Sequence, residues 1–127
     1  MTDEQATQFM ARFGRAFFSG EPQALASVVA ADAQWHFAIG EEPDGRVHHG
    51  IDGFIQGKAA NERLIENLRF EDVCCRALGE QAIVMTYRVT GRWRASGQTL
   101  DRRGIELIEL RDGRLNRKDV FWKQGTN

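Results

Sequence analysis

Apolar positions in the first half of the chain recur at helical spacing. Phe9, Phe13 and Phe17 stand four residues apart with Met10 and Ala16 beside them, and the run stops at Ser19-Gly20. Thr2 and Gln5 have the spacing of a capping box, so the pattern predicts an amphipathic helix that opens at Thr2 and carries an aromatic stripe. Pro22 suits a first helical position, and a second helix from there places Leu25, Val28 and Val29 on one face before Asp32. Gln34 to Phe37 reads as a short strand. After the loop "GEEPDGRVHHG", a third helical region is expected from about Ile51 to Asn67. Its apolar positions are Ile51, Phe54, Ile55, Leu64, Ile65 and Leu68, and Gly57 weakens it in the middle.

Beyond residue 68 the period falls to two. Strands are expected at about 69–78, 82–95, 99–110 and 114–123, separated by the turn signals "GEQ", "SGQ" and "DG". In 82–95, Met85, Tyr87, Val89 and Trp93 share one face, while Thr86, Arg88, Thr90, Arg92 and Arg94 share the other. An antiparallel meander with one apolar face, preceded by about three helices, predicts an α+β domain over residues 1–127 whose curved sheet wraps around its helices. The segment "GIELIEL" then raises a chemical question: of Glu106 and Glu109, three residues apart and so on opposite faces, one must turn inward.

Composition narrows the partners. A chain of 127 residues with formal net charge -1 favours neither a nucleic-acid binder nor a membrane-surface protein, and the C-terminal arginines are interleaved with Asp101, Glu106, Glu109, Asp112 and Asp119. The N-terminus lacks a basic segment leading into an apolar run, and no stretch approaches the roughly 18 apolar residues of a membrane span. Cys74 and Cys75 are neighbours, which suits neither a disulfide framework nor a metal site, and the three histidines show no ligand spacing. A soluble cytoplasmic protein without metal or cofactor is the expectation.

The segments "SGEPQALASVVAADAQW", "HHGIDGFI", "VMTYRVTGRW" and "IELIELRDGRLNRKDVFW", in this order and spacing, resemble the nuclear-transport-factor-2-like superfamily. That superfamily includes ketosteroid isomerases, SnoaL-like polyketide cyclases and limonene epoxide hydrolases. The resemblance implies a cone-shaped fold with a pocket between the concave sheet face and the helices. Its lining here would be Phe13, Phe17, Trp35, Phe37, Met85, Tyr87, Val89, Trp93, Glu106, Val120 and Trp122, with Lys118 beside Glu106. Such an apolar, aromatic cavity holding few polar groups suits a small, largely apolar ligand.

The resemblance also constrains the chemistry. In the isomerase pattern a Tyr, a protonated Asp and a basic Asp do the work, and the matching positions here are Phe13, Glu106 and Phe37. Phenylalanine neither donates to an enolate oxygen nor carries a proton, so isomerisation by that constellation is not expected. The epoxide hydrolase pattern departs as well, since its Arg-Val-Asp reads Arg88-Val89-Thr90 and Val120 replaces its last-strand Asp. Glu106 is left as the candidate catalytic carboxylate, with Tyr87 as a hydrogen-bond partner.

The facing of Glu106 depends on the last hairpin. A turn through Asp112-Gly113 alone pairs Glu106 with Asp119, whereas a turn through Arg111-Asp112-Gly113 with a glycine bulge sets it on the face of Lys118, Val120 and Trp122. The family pattern favours the second. Lys118 is expected to reach solvent with its long stem, leaving a desolvated, neutral Glu106 as a hydrogen-bond donor. His48 and His49 are expected in a solvated loop, and His36, between inward Trp35 and Phe37, should point outward. Arg88, Thr90 and Arg92 share the convex face with Ile105, Leu107 and Phe121, a mixture of charge and apolar area that predicts a homodimer built on the sheet.

Overall fold

The computed structural model describes residues 1–124. Helix α1 (Asp3–Ser19) opens with both hydrogen bonds of the Thr2/Gln5 capping box and closes at Gly20 in the left-handed conformation. Its buried stripe is Phe9, Met10, Phe13, Ala16 and Phe17 together with Ala6. Helix α2 (Pro22–Val28) starts at its proline, and α3 runs Gly50–Leu64. The strands are β1 (Val29–His36), β2 (Val47–His49), β3 (Ile65–Leu78), β4 (Ala82–Trp93), β5 (Thr99–Arg111) and β6 (Arg114–Trp122). They form one six-stranded sheet in the order β2-β1-β6-β5-β4-β3, and the helices pack on its concave face around a core that includes Trp35, Phe54, Leu25 and Ile108.

The α+β architecture is as expected, with four corrections. The sheet is mixed rather than antiparallel, because β1 runs parallel to β6. Strand β1 begins at Val29 rather than Gln34, taking Val29 out of the second helix. A further strand, β2, lies in the stretch read as loop, so His48 and His49 pair with Trp35 and Gln34. Finally, α3 ends at Leu64, and Ile65 and Leu68 belong to β3.

The helix-like spacing of Ile65 and Leu68 has a local cause. β3 carries irregularities between Glu66 and Arg69 and between Glu71 and Cys74, where Asn67 (φ 56) and Asp72 (φ 53) take left-handed backbone angles. Each extra residue bends the strand and breaks the two-residue alternation. The inward positions therefore read Ile65, Leu68, Phe70, Val73, Cys75, and the three-residue steps imitate a helix.

Bulging also decides how Glu106 faces. The hairpin turns through Asp112 (φ 52) and Gly113 (φ 75) with Arg111 opposite Arg114, the tight two-residue turn. A shift between Glu109 and Leu110 on the β5–β6 ladder then moves the pairing, because Leu110 faces Leu115 but Glu109 faces Arg117. Asn116 is the extra residue. Glu106 consequently pairs with Val120 and shares its face with Lys118 and Trp122, through a bulge on β6 instead of a longer turn. Glu109 points out and is exposed.

Candidate functional site

A cavity of about 570 Å³ lies between α1, α3 and the concave sheet. Phe13 and Phe17 reach it from α1, Trp35 and Phe37 from the β1 region, Met85 from β4, and Glu106, Lys118, Val120 and Trp122 from β5 and β6. The rings form a continuous packing chain: Phe13 stacks on Phe17 at 5.5 Å, Phe17 meets Trp35 edge-on at 5.3 Å, and Phe37 bridges Trp35 and Trp122 at 5.9 and 5.2 Å. Edge-on contacts of this kind stabilise the rings' orientations as well as their burial.

Three residues expected in the lining do not reach the cavity. Val89 and Trp93 pack with Ile65 and Leu100 in a second apolar cluster, and Tyr87 lies beneath the cavity floor in the same cluster. Conversely, Ile65, Leu68, Phe70, Val73 and Cys75 line it from β3, which the bulges concealed. Arg94, placed outside by alternation, reaches the rim because β4 ends at Trp93; its main chain there donates to the Leu64 carbonyl at 3.0 Å.

Glu106 and Lys118 are both buried, at 2% and 7% exposure. Tyr87 Oη donates to Glu106 Oε2 at 2.7 Å, and Trp122 Nε1 donates to Tyr87 Oη at 3.0 Å. Tyr87 fits beneath the floor because Gly104 stands opposite it, and a Cβ there would come within 2.5 Å of the tyrosine ring. Burial, then the neighbouring Glu106 charge and its hydrogen bond, push the Tyr87 hydroxyl far above its ordinary value, so it acts as a neutral donor.

The other oxygen, Glu106 Oε1, lies 3.5 Å from Lys118 Nζ and has no hydrogen bond among the described residues. Lys118 does not extend to solvent as expected. Its ammonium sits 4.7 Å from the Trp35 ring centre and 5.1 and 5.2 Å from those of Phe13 and Phe17. Each such contact replaces hydration by about 0.5–2 kcal/mol of attraction, and the carboxylate supplies the counter-charge. Glu106 and Lys118 therefore lie within ion-pair distance of each other under an aromatic canopy, in place of the unpaired Glu106 that was expected.

The histidines lie elsewhere. His48 packs against Trp35 with ring centres 5.0 Å apart and planes tilted by 47°, and desolvation, followed by the nearby Arg46 charge, holds its imidazole below the usual range. His49 is exposed at the mouth of α3. His36 does face away from Trp35, yet it is only 4% exposed, with Nε2 against Gln34 Oε1 at 2.9 Å. No group of three His, Cys, Asp or Glu side chains converges among the described residues, and no helix there is long and apolar enough to cross a membrane.

The fold recurs in solved structures. A nuclear-transport-factor-2-like protein from Burkholderia xenovorans LB400 superposes with a TM-score of 0.80 at 20% identity, over 97% of this chain and 92% of its own. A candidate polyketide cyclase from Xanthomonas campestris pv. campestris gives 0.75 at 19% identity over 95% and 92%. A protein of ketosteroid isomerase-like fold from Catenulispora acidiphila DSM 44928, in complex with trimethylamine, gives 0.72 at 17% over 91% and 85%. At these identities the likeness is one of fold. No curated protein sequence matches the chain. The family model of the SnoaL-like domain matches residues 9–118, which is most of the chain, and the protein belongs to that SnoaL-like family.

Proposed function

We infer that the cavity binds a small, largely apolar carbonyl compound and moves a proton on it, as an isomerase or cyclase does. The observation that carries this reading is the Glu106–Lys118 pair, set in an aromatic cavity with one carboxylate oxygen free of hydrogen bonds among the described residues. Glu106 Oε1 takes a proton from the carbon beside the ligand's carbonyl, while the Lys118 ammonium donates to the oxygen on which the electron pair settles. The negative charge passes from Glu106 to the enolate, so Lys118 keeps an anionic neighbour throughout and the low-dielectric site holds no additional charge. Tyr87, fixed by Trp122, orients the carboxylate through Oε2. Glu106 then returns the proton to another carbon, or the enolate carbon attacks a second carbonyl of the same molecule and the alkoxide formed as that C=O π bond opens takes the proton back from Glu106. The polyketide cyclase-like neighbours are compatible with either outcome.

Proton nuclear magnetic resonance in deuterated buffer tests this with 2-acetylnaphthalene as probe. The wild type should speed deuterium exchange at the methyl group, and Glu106→Gln should lower that rate by roughly a hundredfold or more. Ketone bound with no exchange above buffer would leave a ligand-binding module, the alternative reading. Binding itself is read from tryptophan fluorescence, where Trp122→Ala should weaken it far more than Arg92→Ala on the opposite face. Equal effects of the two would remove the cavity from consideration.

The same reading includes a homodimer. Ile105, Leu107 and Phe121 are exposed on the convex face, with Phe121 directly opposite Ile105, and the Arg88–Asp101 ion pair at 2.6 Å lies beside them. Apolar area rimmed by charge has the make-up of an interface. Light scattering at micromolar concentration should give twice the chain mass for the wild type and the single mass for Phe121→Arg; a monomeric wild type would refute the dimer.

A further inference from the structure

The polar groups of the cavity are segregated. Glu106 and Lys118 form its floor; Lys58, Asn61 and Glu62 stand on α3, with Asn67 at the start of β3 and Arg94 just past β4. Thr7 is the remaining polar lining residue, and its hydroxyl is spent on the Asp3 carbonyl at 2.8 Å. Apolar side chains make up the rest of the wall.

Within the α3 cluster, hydrogen-bonding capacity exceeds what the protein uses. Asn61 is 8% exposed, and its Oδ1 is buried without a partner among the described residues. An orphaned buried amide of this kind costs on the order of 1–3 kcal/mol and calls for a group to satisfy it. Lys58 spends one donor on Glu62 Oε1 at 2.7 Å. Arg94 spends Nε on the Glu62 carbonyl at 2.9 Å, and its terminal nitrogens make no hydrogen bond among the described residues. The Glu62 carboxylate pairs with Lys58, whereas Arg94 contacts only the Glu62 main-chain carbonyl, so the cluster of two cations and one carboxylate keeps a net positive charge and spare donors.

Building on the reading above, we propose that the ligand is two-ended: an apolar ketone whose far end carries a carboxylate, held by Asn61, Arg94 and Lys58 while its carbonyl lies at Glu106 and Lys118. The cavity volume suits a molecule of that size. Asn61 contributes its amide N–H with the amide turned so that nitrogen faces the anion, and Arg94 offers two parallel donors. Recognition at the far end fixes the distance to the reacting carbon, which is how remote binding energy serves a reaction.

Tryptophan fluorescence titrations compare 2-acetylnaphthalene with 6-acetyl-2-naphthoic acid, which differ only in the carboxylate. Wild type should bind the acid about tenfold or more tighter. That ratio should fall toward one in Arg94→Gln, and again in Asn61→Leu, with thermal melts verifying that each variant is folded. Equal affinities in the wild type, or a ratio unchanged in both variants, would overturn the subsite while leaving the carbonyl reading intact. Failure of both compounds to bind the folded wild type would overturn both readings.

Discussion

Replacing Lys118 by methionine lowers stability by about 3–5 kcal/mol, because the substitution leaves the Glu106 carboxylate buried with one hydrogen bond from Tyr87 and no counter-charge. Glu106→Gln also destabilises, but by less: the ammonium keeps its three rings and Gln still accepts from Tyr87. The double variant Lys118→Met/Glu106→Gln recovers most of the loss, since a methionine packs well among Phe13, Phe17 and Trp35 and no uncompensated charge remains. Urea midpoints at pH 7 for the wild type, both single variants and the double variant yield the coupling directly. Losses that simply add would mean that the two side chains do not interact as a pair. A Glu106→Gln protein as stable as wild type would restore the neutral acid that the sequence alone suggests.

The contrast between those two states of Glu106 marks how far the sequence was legible. Alternation of Met85 and Tyr87 and the four-residue spacing of Phe9, Phe13 and Phe17 were enough to give the α+β order, the concave face and much of the aromatic lining, because both signals are set by local geometry. Three features were hidden because they depend on an extra residue or on a distant neighbour. The bulges at Asn67 and Asp72 turned the start of β3 into an apparent helix and concealed its lining residues Ile65, Leu68, Phe70, Val73 and Cys75. The bulge at Asn116 shifted β6 so that Val120 lies opposite Glu106, whereas the turn, read by itself, would have paired it with Asp119. Lys118 remains inside because α1 and β1 together build a ring canopy for it, and no periodicity along β6 records that.

The glycines of α1 and α3 provide the second large effect, because one substitution acts with opposite signs in the two helices. By helix propensity alone, Gly→Ala gains roughly 1 kcal/mol at either site. At Gly14 a Cβ meets nothing within 4 Å, so Gly14→Ala should stabilise the protein by about that amount. At Gly57 the same atom would come within 2.5 Å of Trp35 Cζ3 and 2.8 Å of His48 Cδ2. Neither ring can retreat easily, since Trp35 is wedged among Phe17, Phe37, Phe54 and His48. Overpacking of this kind costs about 1–3 kcal/mol, which outweighs the propensity gain. Gly57→Ala should therefore be destabilised by up to about 2 kcal/mol, some 1–3 kcal/mol below Gly14→Ala. Because Trp35 also roofs Lys118, the Gly57 variant should lose affinity for 2-acetylnaphthalene in parallel. Thermal melts and titrations on the two variants decide the matter: stabilisation by both alanines would mean that α3 does not lie against Trp35 and His48 as closely as described.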